Sequence, residues 1–233
     1  MLLLKIPIFV DVEGMEILIV GGGEEGYKKA RRFLQAGARV TVFSKEFCED
    51  LLNLSKEWPG LRIVHGDAMD QGALEDLIRA SDIIVSALND AWDIDSVIIS
   101  LARRYRKLYI LAGDAGRTQC GLGIEGSSGD IRVAIYTDGR SSLVAMEARD
   151  RVAGFLDRQA DLHVMLKLLS RMKRILRQSG VPSDLRIEIH RRVFRDPIFR
   201  SRAEAGDEGG AWERVVEIVR SMAGIDLRVG LVG

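Results

Sequence analysis

The chain has 233 residues, 47% of them hydrophobic and 29% charged, and its formal net charge is zero. That composition suits one or two folded domains and excludes a disordered, collagen-like or disulfide-framework protein. Two cysteines, Cys48 and Cys120, read as reduced thiols, no apolar run nears the ~20 residues of a membrane span, and Lys5 and Pro7 interrupt the opening too early for a signal peptide.

Residues 15–20 are an almost unbroken apolar run, the pattern of a strand buried on both faces. Residues 24–36 read as a helix with Tyr27, Ala30, Phe33 and Leu34 on one face, stopped by Gly37. Residues 39–43 are a second strand, 47–57 a helix ended by Trp58-Pro59-Gly60, and 61–65 a third strand. A short helix near 70–79 leads to a fourth strand at 82–86, and a longer helix over 91–105 to a fifth at 108–111. This βαβ alternation requires parallel strands joined by crossovers. The expected fold class is therefore α/β, opening with a Rossmann-type doubly wound parallel sheet.

After Leu111 the rhythm breaks. Residues 113–130 are rich in Gly and Ser, Ser127-Ser128-Gly129-Asp130 reads as a turn, and 131–136 as another strand. From about residue 141 the chain is helical: Leu162, Met165, Leu166, Leu169, Met172 and Leu176 recur at helix spacing, with Arg and Lys on the other face. Gly180-Val181-Pro182 ends that helix, a second covers roughly 184–195, residues 204–210 read as a flexible loop, and a last helix spans 211–222. Residues 151–200 hold 12 Lys/Arg against 5 Asp/Glu, whereas 1–150 hold 18 against 23 and 201–233 hold 4 against 6. A nucleic-acid binder is usually basic over a whole domain. So confined a basic stretch fits a surface helix, an anionic ligand or an acidic partner surface instead.

Gly21-Gly22-Gly23-Glu24-Glu25-Gly26 matches G-x-G-x-x-G at the junction of the first strand and helix, the context that gives the motif meaning. Gly21 permits the tight turn, Gly23 lets backbone approach a pyrophosphate, and Gly26 lets the helix pack on the sheet. The helix N-terminus, at Glu24 and Glu25, offers free N–H groups to phosphate. An acid usually ends the second strand and binds the adenosine ribose. Here Phe43-Ser44-Lys45-Glu46 displaces it to Glu46, and Lys45 would tolerate a 2′-phosphate, so the reading leans to NAD and leaves NADP open. Ser44, Lys45 and Glu46, with Ser86 and Ala87 after the fourth strand, complete the expected cofactor contacts.

Four runs, in order, resemble the N-terminal part of siroheme synthase: Pro7-Ile8-Phe9, Val20-Gly21-Gly22-Gly23, Lys28-Lys29-Ala30-Arg31 and Ala36-Gly37-Ala38-Arg39-Val40-Thr41-Val42. Ser86-Ala87-Leu88-Asn89-Asp90 resembles the family's Ala-Thr-Asp-Asp element, and Thr137-Asp138-Gly139-Arg140-Ser141-Ser142 its Ser-Gly-Gly-x-Ser-Pro element. The likeness is close over 5–50, looser over 80–150 and architectural beyond. The family comprises precorrin-2 dehydrogenases, some of them also sirohydrochlorin ferrochelatases. The resemblance implies a cytoplasmic homodimer with a dinucleotide-binding domain at 1–112, a dimerisation and active-site segment at 113–150 and a helical domain at 151–233. It implies NAD-dependent oxidation of precorrin-2, a tetrapyrrole, to sirohydrochlorin, with ferrous iron a second substrate where chelation occurs. It also implies that the chain, lacking a methyltransferase domain, is not the full fused synthase.

The family's acid follows its fifth strand in an Asn-Val-Val-Asp motif; Leu111-Ala112-Gly113-Asp114 keeps the aspartate alone. The resemblance makes Asp114 the base that takes a proton from the macrocycle, a task suited to a carboxylate at the C-terminal edge of the sheet; the alternative is a loop-capping aspartate. Tetrapyrroles of this pathway carry many carboxylates. Arg117 and Arg140 are expected to bind them, while Thr137 and Ser141 either donate hydrogen bonds to them or cap the next helix. Residues 120–125 lack the aromatic and proline that the family has after the acid, and Leu143 replaces a proline in the second loop. These departures lie on the substrate side and loosen substrate identity and chelation more than the cofactor. His65, His163 and His190 show no ligand spacing, so no fixed metal site is expected. Two other classes stay open: an NAD-sensing regulatory module and a dehydrogenase of another small molecule.

Overall fold

A computed structural model describes residues 5–227. The first four residues of the opening read for a signal peptide, and residues 228–233 of the helical region, lie outside the described residues. The chain forms two compact units, one of residues 5–123 with 136–142, the other of 124–135 with 143–227.

In the first unit, β1 (Glu16–Gly22), β2 (Arg39–Phe47), β3 (Leu61–His65), β4 (Ile83–Ser86) and β5 (Leu108–Leu111) form one parallel sheet in the order β3-β2-β1-β4-β5. The connections are α1 (Glu24–Gln35), α2 (Glu49–Glu57), α3 (Gln71–Arg79) and α4 (Trp92–Arg104). Alternation along the strands divides their side chains between two faces. Ile17, Ile19, Val40, Val42, Val85 and Ile110 pack with Ala30, Phe33 and Leu34 of α1 and Leu51 and Leu54 of α2. Leu18, Val20, Phe43, Ile84 and Leu111 pack with Leu74 and Ile78 of α3 and Ile98 and Ala102 of α4. Burial on both faces explains why these strands read as continuous apolar runs. Strand order reverses between β1 and β4, and ligands of such sheets bind outside the carboxyl ends of the strands at that switch point.

The second unit opens with an antiparallel hairpin of β6 (Ile124–Ser128) and β7 (Ile131–Ile135), followed by α5 (Ser142–Asp157), α6 (Ala160–Gln178), α7 (Ser183–Arg195), α8 (Pro197–Glu204) and α9 (Glu208–Ala223). Val164, Leu168, Met172 and Leu176 of α6 form its core with Ile189 and Val193 of α7, Phe199 of α8 and Val215 and Val219 of α9. The sequence pattern did not reveal β6, because Gly126-Ser127-Ser128 are poor strand formers. Pairing with Ile131–Ile135 across the Gly129 turn overrides that preference. The expected loop over 204–210 shrinks to 205–207: the Asp207 carboxylate accepts the Gly210 N–H at 2.8 Å, so α9 starts early and carries Gly209 and Gly210 in its first turn.

Helix α8 was also unforeseen. Asp196 creates it by accepting the Ile198 and Phe199 N–H groups at 3.1 and 3.0 Å, with Pro197 in the first turn. The same carboxylate, 2% exposed, takes a two-pronged bond from Arg214 at 2.8 and 3.0 Å. The guanidinium and the two N–H groups hold its carboxyl below the usual carboxylate range. Because the folded-state value is depressed, the stabilisation is complete above the ordinary aspartate pKa and fades as pH falls through the lower, folded-state one. Asp196→Ala should therefore cost about 3 kcal/mol at neutral pH. In urea titrations the gap from the parent chain should narrow as pH falls below that of a free aspartate; a gap that is constant with pH would refute the ion-pair account.

Candidate active site

The chain leaves β1 through Gly21, whose φ of 116° only glycine adopts freely, and an added Cβ there would lie 3.0 Å from the Ala87 carbonyl oxygen at the end of β4. At Gly26 a Cβ would stand 2.0 Å from the Gly21 oxygen, so α1 can start against the turn only without a side chain. At Gly23 a Cβ would meet nothing within 4 Å among the described residues. Gly23 is also the N-cap of α1 and has no capping side chain, so the N–H groups of the first helical turn face an open cradle. That suits a pyrophosphate. Glu25, in that turn, is paired with Lys28 at 2.8 Å and Lys29 at 3.3 Å, chiefly Lys28 holding its carboxyl below the usual range. Glu24 is exposed.

Gly22 was not singled out from the sequence, yet a Cβ there would fall 2.3 Å from the Glu46 carbonyl oxygen. The cause is a bulge. Val20 pairs with Phe43 and Gly22 with Phe47, so Ser44, Lys45 and Glu46 face a single residue, Gly21. Such bulges re-aim side chains beside active sites. Glu46 is exposed, and Lys45 is bound to Asp67 at 2.8 Å. Ser86 is 1% exposed and its Oγ, on the same face as Ile84, has no hydrogen-bond partner among the described residues; Ala87 borders the glycine turn through its carbonyl.

Beyond β5, Asp114 organises a turn. Its Oδ1 accepts the Gly116 and Arg117 N–H groups, each at 3.0 Å, while Oδ2 lies 3.8 Å from Arg117 Nε. The Arg117 guanidinium lies 4.4 Å from the Trp92 ring centre and donates to Ser96 Oγ at 2.8 Å, so the turn is stitched to the start of α4. Buried Thr118 donates to the Cys120 carbonyl and accepts the Leu111 N–H, anchoring the same loop to β5.

The loop 137–141 returns to this place. Asp138 and Gly139 have φ of 51° and 72°, and the Arg140 N–H donates to the Thr137 carbonyl at 3.0 Å, a tight turn typical of Asp-Gly. A Cβ at Gly139 would fall 2.2 Å from that of Ala115, so the two loops touch. Thr137 Oγ1 accepts the Ser141 N–H and donates to its carbonyl, so this hydroxyl serves its own turn. Arg140 is exposed and, among the described residues, has no ion-pair partner. The structure adds a cation that sequence reasoning missed: Lys5 donates to the Ala115 carbonyl at 3.4 Å and lies 5.8 Å from the Tyr136 ring centre.

A groove of about 390 Å³ lies among Arg39, Thr41, Gly60, Arg62 and Leu77, but at the amino ends of the strands, the wrong end of a parallel sheet for a dinucleotide. No helix among the described residues is long and apolar enough to cross a membrane.

Comparison with known proteins agrees with this architecture. Residues 8–123 match the family described as "Putative NAD(P)-binding". The chain is 25% identical over 197 residues to a "Putative precorrin-2 dehydrogenase" of Methanocaldococcus jannaschii, covering 84% of this chain and 92% of that one. It is 27% identical over 150 residues to "Siroheme synthase 2" of Yersinia enterocolitica, covering 64% of this chain but only 30% of the synthase. Among solved structures, "SirC, precorrin-2 dehydrogenase" superposes with a TM-score of 0.65 at 18% identity, over 91% of this chain and all of the other, which shows a shared fold. Residues 8–123 are thus a nicotinamide-dinucleotide-binding domain, and the chain is similar to precorrin-2 dehydrogenase and siroheme synthase, as its motifs suggest.

Proposed function

We propose that the protein is an oxidoreductase that uses NAD to dehydrogenate precorrin-2 to sirohydrochlorin. The observation that carries this reading is the meeting of two loops, at Asp114–Thr118 and Thr137–Ser141, in the same compact unit as the glycine cradle. When bound, NAD supplies the hydride acceptor. The chain supplies the rest. The open cradle at Gly23 and the uncapped first turn of α1 hold the pyrophosphate. Asp114 Oδ1 is tied to two N–H groups, so the carboxylate has one orientation, and Oδ2 is the atom that receives the proton leaving the macrocycle. Arg140 and Lys5 offer cations to the substrate's carboxylates. Arg117, already committed to Trp92, Ser96 and Asp114, steadies the turn more than it reaches outward. Iron insertion into sirohydrochlorin would use the same Asp114 oxygen as acceptor for pyrrole protons, with ferrous iron as substrate.

The direct test is incubation of precorrin-2 with NAD. Sirohydrochlorin and NADH should appear together, in equal amounts; an absence of both rejects the reading. Omitting NAD should leave precorrin-2 unchanged, and adding ferrous iron afterwards reports chelation separately.

The reading extends to a cytoplasmic homodimer. Helix α5 has 16 residues and buries only Ala145, while Leu143 is 75% and Phe155 55% exposed, with Val144, Met146 and Val152 also open. An apolar helix surface of that kind marks an interface. Sedimentation should give twice the 25.9 kDa chain mass, and Phe155→Asp should return the monomer; a monomeric parent chain would contradict it.

A further inference from the structure

We infer that Asp67, in the loop between β3 and α3, is the acid that reads the adenosine ribose: it accepts the 2′-hydroxyl and turns away a 2′-phosphate. The inference rests on the dinucleotide reading of the glycine turn. The usual acid at the end of β2 is missing, for Thr41-Val42-Phe43 lead up to the bulge and Ser44-Lys45 open it. Glu46 comes one position later, and its carbonyl packs against Gly22, where a Cβ would fall 2.3 Å from that oxygen.

The end of β3 is fastened to the end of β2 instead. The Gly66 N–H donates to the Ser44 carbonyl at 3.0 Å, and a Cβ at Gly66 would fall 2.3 Å from the Phe43 ring, so nothing but glycine lets the chain turn so close. Asp67 follows at once. Its Oδ1 accepts the Met69 N–H at 3.0 Å and its Oδ2 meets Lys45 Nζ at 2.8 Å, so the carboxylate is fixed on both oxygens. Its side chain remains 42% exposed, open to a ligand arriving over the bulge. The Lys45 ammonium and the Met69 N–H keep the carboxyl below its usual range, hence ionised.

The charge arithmetic then separates the two cofactors. A hydroxyl needs an acceptor, and Asp67 has lone pairs to spare. A phosphate brings about two negative charges to a carboxylate whose cation among the described residues, Lys45, is already engaged. Lys45 taken alone suggests tolerance of the phosphate; taken with Asp67 it is a neutralised cation that orients the acid.

The experiment is fluorescence titration of the full chain with NADH and with NADPH. The parent chain should bind NADH more tightly by at least about tenfold. Asp67→Asn keeps the Met69 acceptor but loses the charge and frees Lys45. The NADH/NADPH affinity ratio should fall by at least about tenfold, mostly through gained NADPH binding, and Asp67→Asn with Lys45→Met should lose that gain. Equal binding of the two dinucleotides by the parent chain, or a ratio unmoved in Asp67→Asn, overturns the assignment, as does a ratio that responds to Glu46→Gln instead. Failure to bind either dinucleotide overturns the cofactor reading itself, a different result from both.

Discussion

Asp114→Asn is expected to lower the rate of precorrin-2 dehydrogenation by about 10²–10⁴-fold, the usual loss when a positioned base is removed. The substitution isolates the chemistry. Asparagine presents the same Oδ1 to the Gly116 and Arg117 N–H groups, now at 3.0 Å, so the turn after β5 keeps its shape. What disappears is the negative charge and the basic lone pair at Oδ2, beside Arg117 Nε. NADH affinity and thermal midpoint should stay at parental values. Asp114→Ala should lose the rate as well and also loosen the turn, since two backbone donors lose their acceptor. A full rate in Asp114→Asn would place the base elsewhere and leave Asp114 as the turn-capping residue that its bonds alone would suggest.

The second large effect concerns the glycine turn, where two substitutions should part company. Gly26→Ala drives a methyl to 2.0 Å from the Gly21 carbonyl, backbone against backbone, so α1 must lift off β1. Stability should fall by about 1–3 kcal/mol, and dinucleotide binding should weaken by about 100-fold as the helix N-terminus leaves its place. Gly23→Ala meets no atom within 4 Å, and its φ of −81° is ordinary for alanine, so the fold should be untouched. Its methyl instead occupies the cradle, and NADH affinity should drop by at least about tenfold with an unchanged melting temperature. Calorimetric unfolding and NADH titration of the pair provide the check. Parental affinity in Gly23→Ala would mean that no phosphate approaches that backbone.

Much of the first unit could be read from sequence, because its signals are local. Each strand is an apolar run bounded by a turn residue, and a helix pattern follows each of the first four. The dinucleotide motif was legible for the same reason: Gly21, Gly23 and Gly26 lie within one strand–turn–helix element, and Gly26 answers a steric demand made by Gly21 itself, although the crowding at Gly21 comes from Ala87 at the end of β4. The second unit was harder. The strand at 124–128 exists through its partner strand, and the helix at 197–204 through a carboxylate also held by Arg214, 18 residues on. Neither dependence shows as a periodicity.

The substrate side divides in the same way. Asp114, Thr137, Arg140 and Ser141 were marked by family motifs and Arg117 by its place beside Asp114, but what each side chain is free to do depends on the bonds it makes in the fold, some local and some distant. Arg117 looks outward on paper and in the fold stacks on Trp92; Thr137 looks like a donor and serves its own turn. Lys5 gave no signal, because it reaches Ala115 across 110 residues. Asp67 left a faint one: Gly66-Asp67 after the third strand repeats the Gly113-Asp114 that follows the fifth.

By itself, then, the sequence determined the parallel βαβ sheet, the glycine motif and the family resemblance, since these follow from hydrophobic period and from residues set close together in the chain. Tertiary structure alone decided which distant charged groups find their partners: Lys45 meets Asp67 and Arg117 meets the Trp92 ring. Charge pairing falls steeply with distance in space and takes no account of separation along the chain, so only the folded backbone could select those partners.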